Sequence, residues 1–219
     1  MIGPVWAAVP VKGFAGAKQR LAPALTAPQR QALARAMLTD VLTALAAAPL
    51  AGILVCTADP EAAALARGFG ATLTEDDATA GHTAAVTSMG RWLIARGVGA
   101  MLTLPGDLPR LTAAEIAALI AAAAPAPSFT IAPARDLQGS NAILLAPPDA
   151  VALRFGEDSY FPHLAAARAA GIGPVSVPLP GIGHDIDTPE DLAALRALPA
   201  RGAGAVEALL AGWSGTSAR

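Results

Sequence analysis

The sequence predicts an α/β protein with a mostly parallel sheet and helices on both faces. Apolar runs of strand length alternate with longer helical patterns, and strands joined through helices pair in parallel. The helical stretches carry their own start signals: Thr26 with Pro28, Thr112 with Glu115, and Thr188 with Pro189. At 219 residues, 54% hydrophobic and 15% charged, the chain is long and apolar enough for one well-buried domain.

Taken in order, "VWAAVPV" (5–11) reads as the first strand, and the segment from Thr26 through "RQALARAMLTDVLTALAAA" as the first helix. "GILVCTA" (52–58) is the second strand, followed by "PEAAALARGFG", a short helix ended by glycine. "ATLTE" (71–75) is a short third strand, and a helix follows over 83–95. "GAMLTLPGDLP" (99–109) is a strand running into a loop, and 112–123 is a helix with a capping box. "FTIAPA" and "AILLAPP" are two further strands, and "SYFPHLAAARAAG" is a helix with Pro162 in its first turn. "PVSVPL" is the last strand, and 188–198 is a helix. The expected organisation is a single domain over 1–199 and a tail over 200–219. That tail holds one short helix and then a mobile end, with Trp213 serving only packing.

Composition excludes several classes. A net charge of -2 leaves no basic surplus for general nucleic-acid binding. Cys56 is the only cysteine, which rules out an intramolecular disulfide and argues against a cysteine-based zinc site. It lies in an apolar strand and reads as a small buried filler. The start "MIGPVWAAVP" lacks the basic region of a signal peptide, and the alanine run over 111–127 is too short to span a bilayer. The expectation is a cytoplasmic protein with neither membrane nor nucleic acid as partner.

In a parallel sheet, ligands bind at the carboxyl ends of the strands, near the point where the strand order reverses. The loops after the first and fourth strands are therefore the places to look. The first is "VPVKGFAGAKQRL" (9–21), and Lys12 and Lys18 within it are the only lysines of the chain. Gly13 and Gly16 allow close backbone approach, while the lysines and Arg20 add positive charge. This suits a polyphosphate, although the glycine spacing matches neither a Walker A loop nor a dinucleotide fingerprint.

In "LTLPGDLPRL" (102–111), Asp107 follows an apolar strand between rigid prolines. Such a carboxylate suits Mg²⁺, or it shapes the turn; both readings stand at this point. In "GHDIDTPEDL" (183–192), Asp185 and Asp187 share one face of an extended segment and repel each other unless a cation neutralises them. Glu190 and Asp191 read as ordinary helix-entry acids, and His184 as a structural or rim residue. "QGSNAILL" and "FGEDSYFPH" place Ser140, Asn141, Gly156 and Ser159 at a strand start and a helix start, where a phosphate or carboxylate can be held. His163 is expected to cover the core. Gly81 gives a nucleotide base or ribose room against the backbone, and His82 reads equally well as an exposed cap.

In this order, "VPVKGFAGAKQRL", "LPGDLP", "GSNAILL", "FGEDSYFPH" and "DIDTPEDL" resemble the phospholactate guanylyltransferase family, which makes the activated precursor of the deazaflavin coenzyme F-420. The pieces span residue 9 to about 196. The resemblance implies a Rossmann-like three-layer α/β/α sandwich, like the nucleotide-diphospho-sugar transferases. It implies GTP and a small phosphorylated acid (2-phospho-L-lactate, phosphoenolpyruvate or 3-phospho-D-glycerate) as substrates. Lys12, Lys18 and Arg20 would hold the GTP phosphates, with Val11, Gly13, Asp59 and Gly81 among the nucleotide contacts. Asp107, Asp185 and Asp187 would hold Mg²⁺. Ser140, Asn141, Gly156 and Ser159 would hold the acid. Lys12, Lys18 and Asp107 are the expected catalytic residues. Two positions depart from the family pattern: Gly81-His82-Thr83 replaces Gly-Leu-Asn, and Ser140 replaces threonine. A molybdopterin or sugar-phosphate nucleotidyltransferase and a non-catalytic nucleotide-binding module are the competing readings. A homodimer is common among such folds.

Overall fold

The computed structural model describes residues 2–156, 158–202 and 204–215. It contains seven strands: β1 (Val5–Pro10), β2 (Gly52–Cys56), β3 (Thr72–Thr74), β4 (Ala100–Thr103), β5 (Ser128–Pro133), β6 (Ser140–Ala146) and β7 (Val175–Ser176). The helices are α1 (Ala27–Ala46), α2 (Pro60–Gly68), α3 (His82–Ile94), α4 (Ala113–Ala121), α5 (Tyr160–Ala169), α6 (Pro189–Ala197) and α7 (Ala205–Gly215). The strands form one sheet in the order β3-β2-β1-β4-β6-β5-β7. Only β6 runs against its neighbours, and every other pairing is parallel.

The sheet is covered on both faces, as expected. Alternation along each strand sends its side chains into two separate cores. On one side Ala7, Val9, Leu102 and Leu144 pack with Leu42 of α1, Ala66 of α2 and Ile116 of α4. On the other, Ala8, Met101 and Ile143 pack with Met89 of α3 and Leu164 of α5. The small side chains let these layers approach closely, so burial is complete for Ala7, Ala8 and Leu102, each at 0% exposure. Cys56 is buried filler, and burial pushes its thiol up to about 11, with Asp76 and Asp77 adding to the effect.

Two features position the site. β1 lies between β2 and β4, so the chain leaves the carboxyl edge of β1 in one direction and that of β4 in the other. This is the switch point at which a cleft opens. The reversed β6 then starts, rather than ends, at that same edge, which brings Ser140 and Asn141 to the cleft side of the sheet.

The short helix expected within the 200–219 tail is α7. α7 packs on the outer face of α1, with Val206 buried and Leu209 and Trp213 against Leu33, Met37 and Leu195. Asp40 of α1 accepts from the amides of Ala205 and Val206 at 2.6 and 3.0 Å, so it caps α7 from a distance of 165 residues in sequence. The packed structure thus includes α7, and the mobile end expected after the short helix lies outside the described residues. The last predicted strand is only Val175–Ser176, because Pro174 and Pro178 withhold the amides that would extend the ladder. Among the described residues no helix is long and apolar enough to cross a membrane.

Candidate active site

The first loop leaves β1 and is tied down before it turns. The amide of Val11 donates to the carbonyl of Cys56 at 2.9 Å, and the amide of Phe14 donates to Oδ2 of Asp59 at 2.7 Å. Gly13 is required for that second contact, since a Cβ there would stand 2.8 Å from the same carboxylate oxygen. Oδ1 of Asp59 accepts from the amides of Glu61 and Ala62 and caps α2. Asp59, expected among the nucleotide contacts, therefore has both oxygens engaged by backbone amides and acts as the anchor of the loop. Phe14 is buried beneath it.

Lys18 adopts a left-handed backbone with φ of 54°, which costs an L-residue roughly 1–2 kcal/mol. This conformation accompanies a charge contact that reaches across the fold. Its Nζ donates to Oδ2 of Asp107 at 2.5 Å and to Oδ1 of Asp187 at 2.7 Å. The side chain of Lys18 is only 10% exposed. Burial by itself would lower the lysine's proton affinity; Asp107 and then Asp187 outweigh it and hold Lys18 above its ordinary value. Lys12 is exposed and remains available to a ligand.

The three expected metal-binding aspartates are brought to one end of the cleft, yet they do not form a ready cluster. Among the described residues no group of three or more His, Cys, Asp and Glu is placed to hold a metal ion. The reason is visible in their partners: Lys18 lies between Asp107 and Asp187, and one oxygen of Asp185 accepts from Asn141 at 3.0 Å. Burial raises the proton affinity of Asp185; the Asn141 contact offsets part of this, and the charges of Asp107 and Asp187 add to it. Oδ1 of Asp107 is buried with no hydrogen-bond partner. An orphaned carboxylate oxygen among further carboxylates fits Mg²⁺, which takes oxygen ligands and characteristically uses one or two carboxylates together with substrate phosphates and water.

Three clefts meet around these groups. One of about 580 Å³ is lined by Lys12, Gly13, Lys18, His82 and Asp107. One of about 540 Å³ is lined by Val11, Lys12, Gly13, Asp59 and Gly81. A third, of about 610 Å³, is lined by Arg135, Gly139, Gly156, His184 and Asp185. Arg20 and Asp187 line both the first and the third, so these two adjoin across that pair.

The residues expected to hold the acid are placed together but are more deeply set than a surface cap. Ser140, Asn141 and Ser159 are 9%, 5% and 4% exposed. Ser159 stands at the N-cap of α5 without a side-chain capping bond; its hydroxyl accepts from the amide of Ser140 at 3.1 Å and donates to the Ser140 hydroxyl at 3.2 Å. Gly156 is open to the third cleft. Nδ2 of Asn141 donates to the carbonyl of Ile182 and to Asp185, so it joins this group to the aspartates.

Three residues gain a place that their sequence neighbourhood did not announce. Arg135 faces the third cleft beside His184 and Asp191. His82 is no exposed cap: it is half-buried, with its ring 4.3 Å from that of Phe155. Burial pushes it down to about 4; Asp107 opposes this and Lys12 adds to it. His163 covers the core as expected, at 1% exposure, and what the sequence did not announce is its contact with Ser140. An arginine at the end of a strand was the available signal for Arg135. No signal marked the histidines, since isolated histidines are common in cores. Asp191 follows expectation, accepting from Thr188 in a capping box.

The chain matches the family described as guanylyl transferase CofC like over residues 5–203. It is 43% identical over 197 residues to the phosphoenolpyruvate guanylyltransferase of Conexibacter woesei, covering 88% of this chain and 87% of that one. It is 39% identical over 193 residues to the phosphoenolpyruvate guanylyltransferase of Rubrobacter xylanophilus, covering 88% and 94%. It is 35% identical over 191 residues to the 3-phospho-D-glycerate guanylyltransferase of Colwellia psychrerythraea, covering 87% and 90%. Among solved structures, a protein described as a nucleotide-diphospho-sugar transferase from Desulfovibrio desulfuricans G20 superposes with a TM-score of 0.76 at 18% identity, over 98% of this chain and 96% of that one. That likeness speaks to the fold alone. With the family match extending over nearly the whole domain and close relatives aligned along the same length, the chain belongs to the CofC-like guanylyltransferase family.

Proposed function

We propose that this protein transfers the GMP moiety of GTP to the phosphate of a small phosphorylated carboxylic acid, releasing pyrophosphate, in the biosynthesis of a deazaflavin coenzyme. The relatives in hand act, by name, with phosphoenolpyruvate or 3-phospho-D-glycerate, and these are the leading acids, with 2-phospho-L-lactate as the third. The observation that carries the reading is the Lys18–Asp107–Asp187 bridge between two adjoining clefts, one basic and glycine-lined, the other lined by Arg135 and Gly156.

In this reading GTP enters beside Lys12, Lys18 and Gly13, and the acid enters beside Gly139 and Gly156. A phosphate oxygen of the acid attacks the α-phosphorus, forming one P–O bond as the bond to pyrophosphate breaks. The second pKa of such a phosphate is about 6, so the nucleophile is already anionic near neutral pH and needs no general base. The chief obstacle is repulsion between two polyanions. Lys12 stabilises charge that develops on the leaving pyrophosphate, and Lys18 joins it by exchanging a carboxylate for phosphate oxygens. Asp107 and Asp187, with Asp185 beside them, would hold Mg²⁺, which when bound supplies charge neutralisation between the two phosphates. Arg20, lining both clefts, orients the phosphates where the two adjoin.

The test is pyrophosphate release with GTP, ATP or CTP against each of the three acids, in the presence of Mg²⁺. Release is expected with GTP and at least one acid. Release with a sugar phosphate in place of every acid, or none with any pair, would overturn the reading.

A further inference from the structure

The geometry points to His163 as a positioning residue that makes the Ser140–Ser159 hydroxyl pair a hydrogen-bond donor toward the anionic acid. The inference rests on the proposed reading of that cleft as the acid's site, and extends it to a residue behind the contact surface.

The argument is an accounting of hydrogens. The backbone amide of Arg154 lies 2.9 Å from Nε2 of His163, and an amide can only donate. Nε2 must therefore be unprotonated. His163 is buried against β6, and burial holds it neutral, pushed down to about 4, with His82 adding to the effect. A neutral imidazole with a bare Nε2 carries its proton on Nδ1. Nδ1 lies 2.9 Å from the hydroxyl oxygen of Ser140, so the histidine donates and Ser140 accepts.

The remaining hydrogens then have few places to go. The Ser140 amide donates to the Ser159 oxygen at 3.1 Å, and the two hydroxyls share one bond at 3.2 Å, in which Ser159 donates. Ser140 thus accepts from two sides, and its own hydroxyl hydrogen has no acceptor within the trio. If the shared bond ran the other way, the surplus hydrogen would sit on Ser159. In either case one hydroxyl hydrogen is left over for a ligand. With the opposite tautomer, Nδ1 would accept from Ser140, and the surplus would be consumed internally. Gly139, just before Ser140, and Gly156, a few residues before Ser159, line the cleft, and Ser140 is the most exposed of the three polar residues at 9%, against 4% for Ser159 and 1% for His163. An anion needs donors and is repelled by a lone pair, so the tautomer of a residue that never touches the acid decides how well it is held.

The experiment compares His163→Asn, whose Nδ2 replaces the Nδ1 donor, with His163→Leu, which has none. Both lose the acceptor for the Arg154 amide, so both share any purely structural cost. Calorimetric titration with phosphoenolpyruvate, and its KM in the GTP reaction, should show about a tenfold loss for His163→Leu, with His163→Asn close to wild type and the KM for GTP unchanged in both. Ser140→Ala should show a similar loss, and adding His163→Leu to it should cost nothing further. Nitrogen NMR of labelled histidine should find the Nδ1-protonated tautomer in the wild type. The inference is overturned if Nε2 carries the proton, if Asn and Leu are equally impaired, or if the double variant is additive. The nitrogen spectrum does not depend on which acid binds, so a failure of the proposed substrate and a failure of the positioning role give different results.

Discussion

At the Lys18–Asp107–Asp187 bridge, charges are held by other charges. At the Ser140–Ser159–His163 trio, neutral groups are held by hydrogen bonds. Lys18 bridges Asp107 and Asp187, with the aspartate side chains 26% and 43% exposed, and the lysine backbone is held in a left-handed turn. Ser140, Ser159 and His163 are almost sealed and bear no net charge. In the proposed reading, the difference teaches what each region has to do. A triphosphate that arrives and leaves as pyrophosphate needs counter-charges that can exchange partners, and a partly solvated bridge permits this at small cost. A small acid that must be told apart from similar anions needs fixed donors, and a buried network cannot rearrange without leaving a group unsatisfied.

The contrast breaks most sharply at the aspartates. Asp107→Ala and Asp187→Ala are each expected to reduce pyrophosphate release from GTP at least about a hundredfold, with circular dichroism unchanged. Normal turnover in both would remove them from any metal or charge role. Next in size is Lys18→Met, which leaves Asp107 and Asp187 facing without a counter-charge. Discounted for the exposure of the two carboxylates, the loss of stability is about 1–2 kcal/mol by denaturant unfolding. Added Mg²⁺ should raise the melting temperature of this variant more than that of the wild type; an equal or smaller rise would mean that the aspartates do not take up the cation.

The mildest prediction concerns pH and separates the two histidines from Lys18 by their titration. His82 and His163 are each pushed down to about 4 in the fold from an ordinary 6.5. Between these values the unfolded chain binds more protons, so their contribution to stability is complete above 6.5 and is lost as pH falls through about 4. Mid-window, each contributes a slope of about 1.4 kcal/mol per pH unit. His163→Asn should roughly halve that slope in unfolding measured from pH 7.5 to 4.5. Lys18 has the opposite sign: its pKa is raised in the fold, so its contribution is fully present below its unfolded value and lost only at strongly alkaline pH. An unchanged slope in His163→Asn would mean that His163 is not held neutral in the fold.

The helix starts at Thr26, Thr112 and Thr188 were legible because a cap is a local contract between near neighbours; the structure keeps the Thr112 capping box and adds boxes at Thr26 and Thr188, which the sequence had marked by their prolines. The switch point was legible for a related reason: alternation of strand and helix leaves few topologies. The reversal of β6 was not, because its run is as apolar as those of the parallel strands and both of its faces are buried. Nor was the seat of α7, whose cap Asp40 is 165 residues away in sequence.

The sequence by itself determined the chemistry on offer: two lysines and an arginine in one loop, three aspartates in two others, and hydroxyls at a strand start. Those are properties of residue types and of spacing. Only the tertiary structure decided which of them meet. It placed Lys18 between Asp107 and Asp187, 89 and 169 residues away, and turned Ser159 toward Ser140. It also gave Asp59, on the wall of one cleft, the further task of anchoring the loop through backbone amides. Partners so distant in the chain are chosen by the packing of layers around the sheet, and no local pattern encodes that distance.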